Sequence, residues 1–204
     1  KDLDKVDGIY RYRISSIEPN LLTNDIIRFI SDSRKFLPHF HIPLQSGSNF
    51  ILTSMKRRYK KELYSERVSY IRNLMPSACI GCDVIVGFPG ESDELFMETY
   101  HYISELDINY LHVFSYSERE NTIAKSIFPK VKHLDSMNRS KMLRLISNKK
   151  KHLFRIENEG SNRSVLFESE EDGYLSGLTE NYLRVKVQAD KEWINRISPV
   201  RLSS

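Results

Sequence analysis

Polar and charged side chains recur within the strand-like runs of this 204-residue sequence and at or near their ends. Carboxylates, an amide and hydroxyls in such positions could bind the hydroxyls and ammonium group of a small polar ligand, and Arg57 or Arg58 could pair with its carboxylate. That donor set suits a nucleoside that carries an amino acid. The residues concerned are Glu18, Gln45, Ser46, Asp83, Glu91 and 115–117.

The stretch 39–58, HFHIPLQSGSNFILTSMKRR, has the pattern of a buried strand, a glycine-containing turn and a helix that ends in cations. A strand that leads into a helix through a short loop is half of a βαβ unit, and such units bind ligands at the carboxyl ends of their strands. Gln45 and Ser46 fall at that end. From this pattern alone, an ordinary structural turn is an equally good interpretation.

Strand-like and helical runs alternate through the first part of the chain, always strand first. The run Val84–Val86 is apolar on both faces, as in a central strand of a parallel sheet. The helix that begins at Asn49 is expected to continue along an apolar stripe to Met75. This alternation predicts an α/β fold with a parallel sheet. The predicted strands are 9–17, 38–44, 79–88 and 110–116, and the predicted helices begin at Thr23, Asn49 and Ser92.

The second part of the chain changes character. Between Lys130 and Arg155, nine Lys or Arg accompany a single Asp. An apolar stripe at Met142, Ile146, Leu153 and Ile156 runs through this stretch, which predicts one long basic helix that ends at Gly160. The ordinary interpretation of such a run is a solvated charged face. Short strand-like runs then indicate a small all-β barrel. We therefore expect an α/β part (1–129), a connecting helix (130–160) and a β part (161–204).

Composition limits the class of protein. The net charge of +4 and the pI near 8.9 permit a nucleic-acid partner without requiring one. Two cysteines argue against a disulfide framework, so a cytoplasmic setting is expected. No apolar run reaches the length of a membrane span, and no signal peptide is visible. The opening residues resemble the end of a helix, so we expect the chain to be a fragment of a longer protein.

Other patterns in the sequence give weaker evidence for a functional site. Cys79-x-x-Cys82 has the spacing of a zinc or redox site, but residues three apart on a strand face opposite sides, so core or surface positions are expected. The histidines form no helical His-x-x-x-His pair and are expected to be strand or surface residues, and GFPGE lacks the lysine of a phosphate-binding loop. No metal site is predicted.

Five ordered motifs give the sequence a family resemblance over about Tyr12 to Arg155. The chain closely resembles the radical S-adenosylmethionine methylthiotransferases that modify tRNA, and its tail resembles their TRAM module. SSIEP, HVFSYSER and NTIA are most similar to the MtaB branch, although the RimO and MiaB branches share much of the pattern. The motifs are RISSIEP, HFHIPLQSGS, MKRRY, CDVIVGFPGES and LHVFSYSERENTIA.

The resemblance implies the C-terminal part of a TIM-like partial barrel, from about its third strand, followed by a TRAM-like β-barrel. It also implies that the intact enzyme uses S-adenosylmethionine and two 4Fe-4S clusters to insert a methylthio group at C2 of N6-threonylcarbamoyladenosine beside the anticodon. Isopentenyladenosine in tRNA or a ribosomal protein residue are the alternative substrates. The cluster-binding Cys-x-x-x-Cys-x-x-Cys loop is not in this chain, so the fragment is expected not to cleave the cofactor.

The resemblance also implies roles for individual residues. Glu18 would hold the methionyl or ribose part of the cofactor, Gln45 the ribose, and Arg57 the methionyl carboxylate. Asp83 would lie near the ribose or amino group, with Ser46 nearby. Gly87 and Pro89 would border the adenine. For the fragment, binding of the tRNA anticodon loop without catalysis is the competing hypothesis, and the expected RNA-binding residues are Arg144, Lys149, Lys150, Tyr182, Arg184 and Lys186.

Overall fold

The computed structural model describes residues 2–189 and 191–203, which form a parallel α/β layer followed by an antiparallel sheet. The parallel sheet has the order β1–β2–β3, with β2 (Cys79–Val86) between β1 (His39–His41) and β3 (Tyr110–Ser115). Its register pairs Gly81 with Tyr110 and Asp83 with His112. The predicted parallel sheet is confirmed, with its strands shorter than the apolar runs that indicated them.

Helices cover the outer face of this sheet, where alternate residues of β2 such as Cys82 and Val84 are fully buried. Thr23 and Ser92 cap two of these helices by accepting hydrogen bonds from backbone N–H groups, as their positions predicted. Within the described ranges, no helix combines the length and the apolar character needed to cross a membrane. The helices are α1 (Asn24–Asp32), α2 (Asn49–Ser54), α3 (Lys61–Leu74), α4 (Asp93–Glu105) and α5 (His133–Asn158).

The strand predicted at 9–17 is wrong, because this segment pairs with the sheet at separate points only. An isolated parallel bridge joins Tyr12 to Phe36, and the N–H of Ile17 donates to the last carbonyl of β1 at 3.0 Å. Pro38, which lies in the partner segment between these two contacts, has no N–H to donate. The segment therefore runs beside β1 without forming a continuous ladder.

The single helix predicted from Asn49 to Met75 is also wrong. It is interrupted after α2, where Lys56 adopts a left-handed conformation with φ 58°. The buried Tyr59 then anchors the loop, because its hydroxyl donates to the carbonyl of Pro43 at 2.9 Å. The interruption places Arg57 on a loop rather than on a helix face.

The predicted long basic helix is confirmed as α5, and it packs against β3 with Leu143 in the main core. It is therefore both a connection and the outer cover of β3. The strands that follow form a curled antiparallel sheet, in the order β6–β5–β4–β7, around Val165, Phe167 and Leu175. The sequence did not indicate β7. These strands are β4 (Asn162–Glu171), β5 (Tyr174–Thr179), β6 (Arg184–Gln188) and β7 (Ile197–Arg201).

The antiparallel sheet is joined to the α/β layer by buried polar contacts. Asn181 is fully buried, and its side-chain amide donates to the carbonyl of Ser77 at 3.0 Å and to the side chain of Asn158 at 2.9 Å. From the other side, Arg11 donates to Ser164 and Arg13 donates to the carbonyl of Thr179. Side chains from both parts are thus needed to satisfy this interface.

Candidate cofactor-binding site and basic groove

An open cavity of about 610 Å³ lies at the carboxyl ends of the parallel strands. Gln45, Arg57 and Asp83, which the sequence singled out separately, line it together with Ser115 and Ser117. Their different positions in the chain converge because parallel strands end at the same edge of a sheet. The remaining lining residues are Ile85, Phe114, Tyr116, Arg119, Thr122 and Ala124.

Arg57 is the less exposed of the two arginines that line this cavity, the other being Arg119. Its Nη1 lies 3.0 Å from Oε1 of Glu18, which pairs with it from outside the lining. The Nε of Arg57 is buried and has no hydrogen-bond partner in the part of the chain that the structure describes. A buried N–H group without a partner is costly, and a carboxylate ligand could satisfy it.

Gln45 has a strained backbone, with a φ of 69° that non-glycine residues rarely adopt. Two hydrogen bonds to β2 hold it: its N–H donates to the carbonyl of Asp83 at 2.8 Å, and its carbonyl accepts from the N–H of Ile85 at 2.9 Å. Such strain costs about 1–3 kcal/mol and persists where the surroundings impose it, often at ligand sites. The conformation carries the residue into the cavity wall.

Four residues predicted for the cofactor do not line the cavity: Glu18, which only pairs with Arg57, and Ser46, Gly87 and Pro89. Ser46 is fully buried, and its hydroxyl lies 3.1 Å from that of Thr99 on α4, so it fastens the turn to the helix layer. Gly87 is packed against α5, because a Cβ there would approach the Ser136 hydroxyl to 2.6 Å. Pro89 follows in the same turn, away from the lining residues.

Glu91, a carboxylate noted near the end of the same strand, lies in a buried ion pair instead. Its Oε2 accepts from Arg139 Nη1 at 2.8 Å and from the N–H of Gly87 at 2.7 Å. The other guanidinium nitrogen of Arg139 binds Asp93 at 2.7 Å. Burial raises the pKa of Glu91, although Gly87 and Arg139 oppose that shift. Glu91 therefore fixes α5 to the turn after β2.

Histidines that the sequence did not single out form a polar cluster on the inner face of the parallel sheet. His41 Nε2 lies 2.9 Å from Oδ1 of Asp83, and His112 Nδ1 lies 3.4 Å from the same oxygen. The three ligand atoms are within 4.8 Å of one another, a donor set that divalent transition metals accept. The alternation His39-x-His41 and Tyr110-x-His112 was the available signal, because alternate strand residues share a face.

The charges of this cluster follow from its burial. Burial alone would raise the pKa of Asp83, but its contacts with His41 and His112 outweigh that effect, so the net shift is downward. Burial lowers the pKa of His112, and Asp83 partly opposes this. Burial, together with the positive charge of Arg13, lowers the pKa of His39 to about 3. Asp83 is thus an anion beside the neutral imidazole of His112.

The depressed pKa of His39 predicts acid sensitivity. In the unfolded chain this histidine takes up a proton near pH 6.5, whereas the folded chain resists protonation until about pH 3. The free energy of unfolding should therefore fall as the pH is lowered from about 6.5 toward about 3. His39→Gln should flatten this slope in urea unfolding measured across that range, whereas His101→Gln, at an exposed histidine, should not. An unchanged slope in His39→Gln would contradict the assignment.

The two cysteines lie on opposite faces of β2, as predicted. Cys82 is in the main core, whereas Cys79 packs against Tyr110 and Phe154 on the other side. Burial raises the pKa of the Cys79 thiol to about 12 and that of Cys82 higher still. Because the two thiols are buried on opposite sides of the strand, they do not converge on one point as the ligands of a single metal ion must.

A basic groove separates α5 from β6. Two adjoining cavities, of about 320 and 450 Å³, run along it, and their walls include the cations Lys151, Arg155, Arg184 and Lys186. All four side chains are exposed, and none lies within ion-pair distance of a carboxylate in residues 2–189 and 191–203. Tyr182 lies at one end and stacks on His39 with ring centroids 4.0 Å apart.

The groove contains only some of the residues predicted to bind RNA. Tyr182, Arg184 and Lys186 are in it. Lys149 is exposed outside it, and Arg144 borders a shallow cavity beside Ser115. Lys150 is engaged elsewhere, because its ammonium donates to the carbonyls of Ser104 and Leu106 at the end of α4. The sequence did not select Lys151 and Arg155, although their spacing of four residues puts them on one helix face.

Comparison with known proteins identifies the family. Residues 2–103, half of the chain, match the Radical SAM superfamily. The chain belongs to the radical SAM superfamily. A solved radical SAM enzyme, coproporphyrinogen III oxidase (HemN) from Escherichia coli, has the same fold, with a TM-score of 0.58 at 11% identity over 90% of this chain and 52% of HemN. The predicted radical SAM fold is therefore confirmed.

Curated relatives of this radical SAM chain include tRNA methylthiotransferases, which confirms the predicted resemblance. The MtaB proteins named threonylcarbamoyladenosine tRNA methylthiotransferases from Bacillus subtilis (strain 168) and Aquifex aeolicus (strain VF5) are 36% and 39% identical, over 97% and 94% of the chain. A tRNA-2-methylthio-N(6)-dimethylallyladenosine synthase from Pelotomaculum thermopropionicum is 32% identical over 100% of the chain. The chain covers 45%, 46% and 46% of these relatives, or about half of their length.

Proposed function

We propose that this chain is part of a radical SAM enzyme that attaches a methylthio group to C2 of N6-threonylcarbamoyladenosine in tRNA. The observation that carries the proposal is the cavity at the carboxyl ends of the strands, where Gln45, Arg57 and Asp83 converge with Glu18 behind them. The names of the two MtaB relatives support the choice of substrate.

The residues of this cavity fit S-adenosylmethionine. Arg57, with its unpaired Nε, would bind the methionyl carboxylate, while Asp83 would accept from a ribose hydroxyl or the ammonium group. Gln45, held rigidly on β2, would bind the ribose. The bound cofactor supplies the radical chemistry, and the protein binds and orients it.

The residues of this chain do not fit an iron–sulfur cluster. Cys79 and Cys82 lie on opposite faces of one strand, whereas cluster ligands are thiolates that converge on one centre. In the whole enzyme, we propose that the ligands of two 4Fe-4S clusters come from outside residues 1–204. No step of the reaction is assigned to the two cysteines.

Mass spectrometry of tRNA tests the proposed substrate. Nucleosides from cells that lack the gene should contain N6-threonylcarbamoyladenosine but not its 2-methylthio derivative, and a plasmid-borne copy should restore it. Loss of 2-methylthio-N6-dimethylallyladenosine would instead favour the second candidate, to which the Pelotomaculum relative points. No change in either nucleoside would contradict the proposed function.

The basic groove between α5 and β6 is the proposed tRNA-binding surface, with the anticodon loop as its target. Its four cations can neutralise phosphates, and the exposed part of Tyr182 can contact an unpaired base. We include Lys151 and Arg155 with the predicted Arg184 and Lys186, and leave out Lys150 because its donors are already engaged.

Charge reversal in the groove should weaken tRNA binding. The double variant Arg184→Glu, Lys186→Glu should bind tRNA at least tenfold more weakly at 0.1 M salt, because each lost phosphate contact removes a counterion-release contribution. Filter binding at several salt concentrations should also show a shallower slope. Arg28 on α1 and Arg34 just after it are both exposed, so the matched double variant Arg28→Glu, Arg34→Glu should bind tRNA about as tightly as the unaltered chain. Equal losses in both double variants would contradict a specific groove.

A further inference from the structure

A chain of contacts crosses the inner face of the parallel sheet toward the proposed cofactor cavity. The hydroxyl of Tyr110 lies 3.0 Å from His39 Nε2 and 3.1 Å from His41 Nδ1, and the other nitrogen of His41 faces Asp83. His39, Tyr110 and His41 are all buried, whereas Asp83 reaches the cavity wall. This series of contacts thus begins at the buried His39 and ends at Asp83 in the cavity wall.

The donor and the acceptor of each hydrogen bond from His39 through Tyr110 to His41 can be assigned from the surroundings of one atom, His39 Nδ1. His39 Nδ1 is buried and has no partner among residues 2–189 and 191–203, so a proton there would be an unsatisfied donor. The proton of neutral His39 therefore lies on Nε2 and is donated to the Tyr110 oxygen. Tyr110 must then donate to His41 Nδ1, which leaves the His41 proton on Nε2, directed at Asp83.

This order of donors leaves one oxygen of Asp83 available. Both imidazole contacts are made by Oδ1, and Oδ2 has no hydrogen-bond partner in the described part of the chain. A carboxylate held at one oxygen by a fixed imidazole presents the other in a defined direction, as supporting residues do for metal-binding groups.

We propose that His39, Tyr110 and His41 are positioning residues that hold Asp83 as an oriented hydrogen-bond acceptor for the ribose or ammonium group of the nucleoside cofactor. This inference rests on the proposed function, because it assigns Asp83 to the cofactor. It goes further in giving the order of the donors and in naming three buried residues that never touch the ligand.

Gly81 supports the view that this arrangement is built into the sheet. Tyr110 is its register partner on β3, and the tyrosine ring lies over the glycine so closely that a Cβ at position 81 would be 2.0 Å from it. A side chain there would displace the ring and with it the hydroxyl that joins the two histidines. Tyr182 closes the far end by stacking on His39.

The test uses Tyr110→Phe, which removes the central hydroxyl and keeps the ring. Tyr64→Phe is the matched control, because its equally buried hydroxyl donates to the carbonyl of Ile42 outside the chain of contacts. Nitrogen-15 NMR of labelled histidines should show Nε2–H tautomers for His39 and His41 in the unaltered protein and in the control. Tyr110→Phe should shift the His41 signals toward a mixture of tautomers.

Titration calorimetry with S-adenosylmethionine supplies the second measurement. Tyr110→Phe should weaken binding about tenfold, because it removes one buried hydrogen bond from the series that orients Asp83, whereas Tyr64→Phe should not. Fixed Nε2–H tautomers without cofactor binding by the unaltered chain would count against the proposed ligand while leaving the donor order intact. Nδ1–H tautomers in the unaltered protein, or cofactor binding that is unchanged in Tyr110→Phe, would overturn the positioning role.

Discussion

Replacing Arg57 with glutamine is expected to weaken binding of S-adenosylmethionine roughly 30- to 150-fold, because a charge-assisted hydrogen bond contributes about 2–3 kcal/mol. Arg57 lines the cavity, its Nη1 is bound to Glu18 at 3.0 Å, and its buried Nε has no hydrogen-bond partner among the described residues. Glutamine keeps much of the length of the side chain but loses both the charge and the planar fork. Titration calorimetry on the chain of 204 residues measures the effect directly.

The control for this prediction is Arg67→Gln. Arg67 is similarly shielded and forms an ion pair with Glu66 at 3.2 Å, but it lies on α3 and does not line the cavity. Any general loss of stability from removing a paired arginine should appear in both variants. Cofactor affinity should fall only in Arg57→Gln, and an equal fall in the two would remove Arg57 from the site.

Replacing Arg139 with methionine is expected to lower the free energy of unfolding by about 3–5 kcal/mol. The variant leaves the side chain of Glu91, 1% exposed, without its cation, and Oε1 of that carboxylate already has no hydrogen-bond partner among the described residues. Asp93, 87% exposed, is stabilised by water and contributes little. Urea unfolding at pH 7 should show the loss, whereas Arg144→Met, at an exposed position on the same helix, should change stability little.

The pH dependence of this variant has a definite sign. The folded chain holds the proton of Glu91 more tightly than the unfolded chain, since burial raises its pKa. Without Arg139 the carboxyl should be still harder to ionise, so Arg139→Met should regain stability as the pH is lowered from 7 toward 5. The double variant Arg139→Met, Glu91→Gln should recover part of the loss and show no such gain. A loss that is independent of pH would argue for simple packing damage.

The sequence was sufficient for the parts of the fold that rest on periodicity. The doubly apolar run Val84–Val86, the caps Thr23 and Ser92 and the long helix α5 each depend on neighbours in the chain, and each is confirmed. The apolar stripe predicted for α5 is confirmed only in part, because Met142 and Ile146 pack against the main core whereas Leu153 and Ile156 are exposed. The strand predicted at 9–17 does not form, although its sequence alternates apolar and polar residues, because the neighbouring segment contains Pro38. Pairing depends on both segments, and the pattern of one segment carries no information about the other.

The candidate site was predictable for polar residues within or shortly after a predicted strand, as for Asp83 within β2 and Gln45 after β1. The sequence could not show which of two neighbouring side chains faces the cavity. Ser46 follows Gln45 directly, yet its hydroxyl is hydrogen-bonded to that of Thr99. The histidine cluster was missed for a related reason. His41 and His112 are far apart in sequence, and only the register of β1, β2 and β3 brings both to Asp83.

The buried contacts of Asn181 join the antiparallel sheet to the α/β layer, and they limit how freely this sheet could be exchanged between enzymes. The Asn181 amide needs the carbonyl of Ser77 and the side chain of Asn158, and Tyr182 beside it covers His39. A β unit transplanted from another protein would have to match these groups or leave buried donors without acceptors. The antiparallel sheet is therefore matched to its own α/β layer. A chimaera should fold well only when the residues on both sides of this interface come from the same protein.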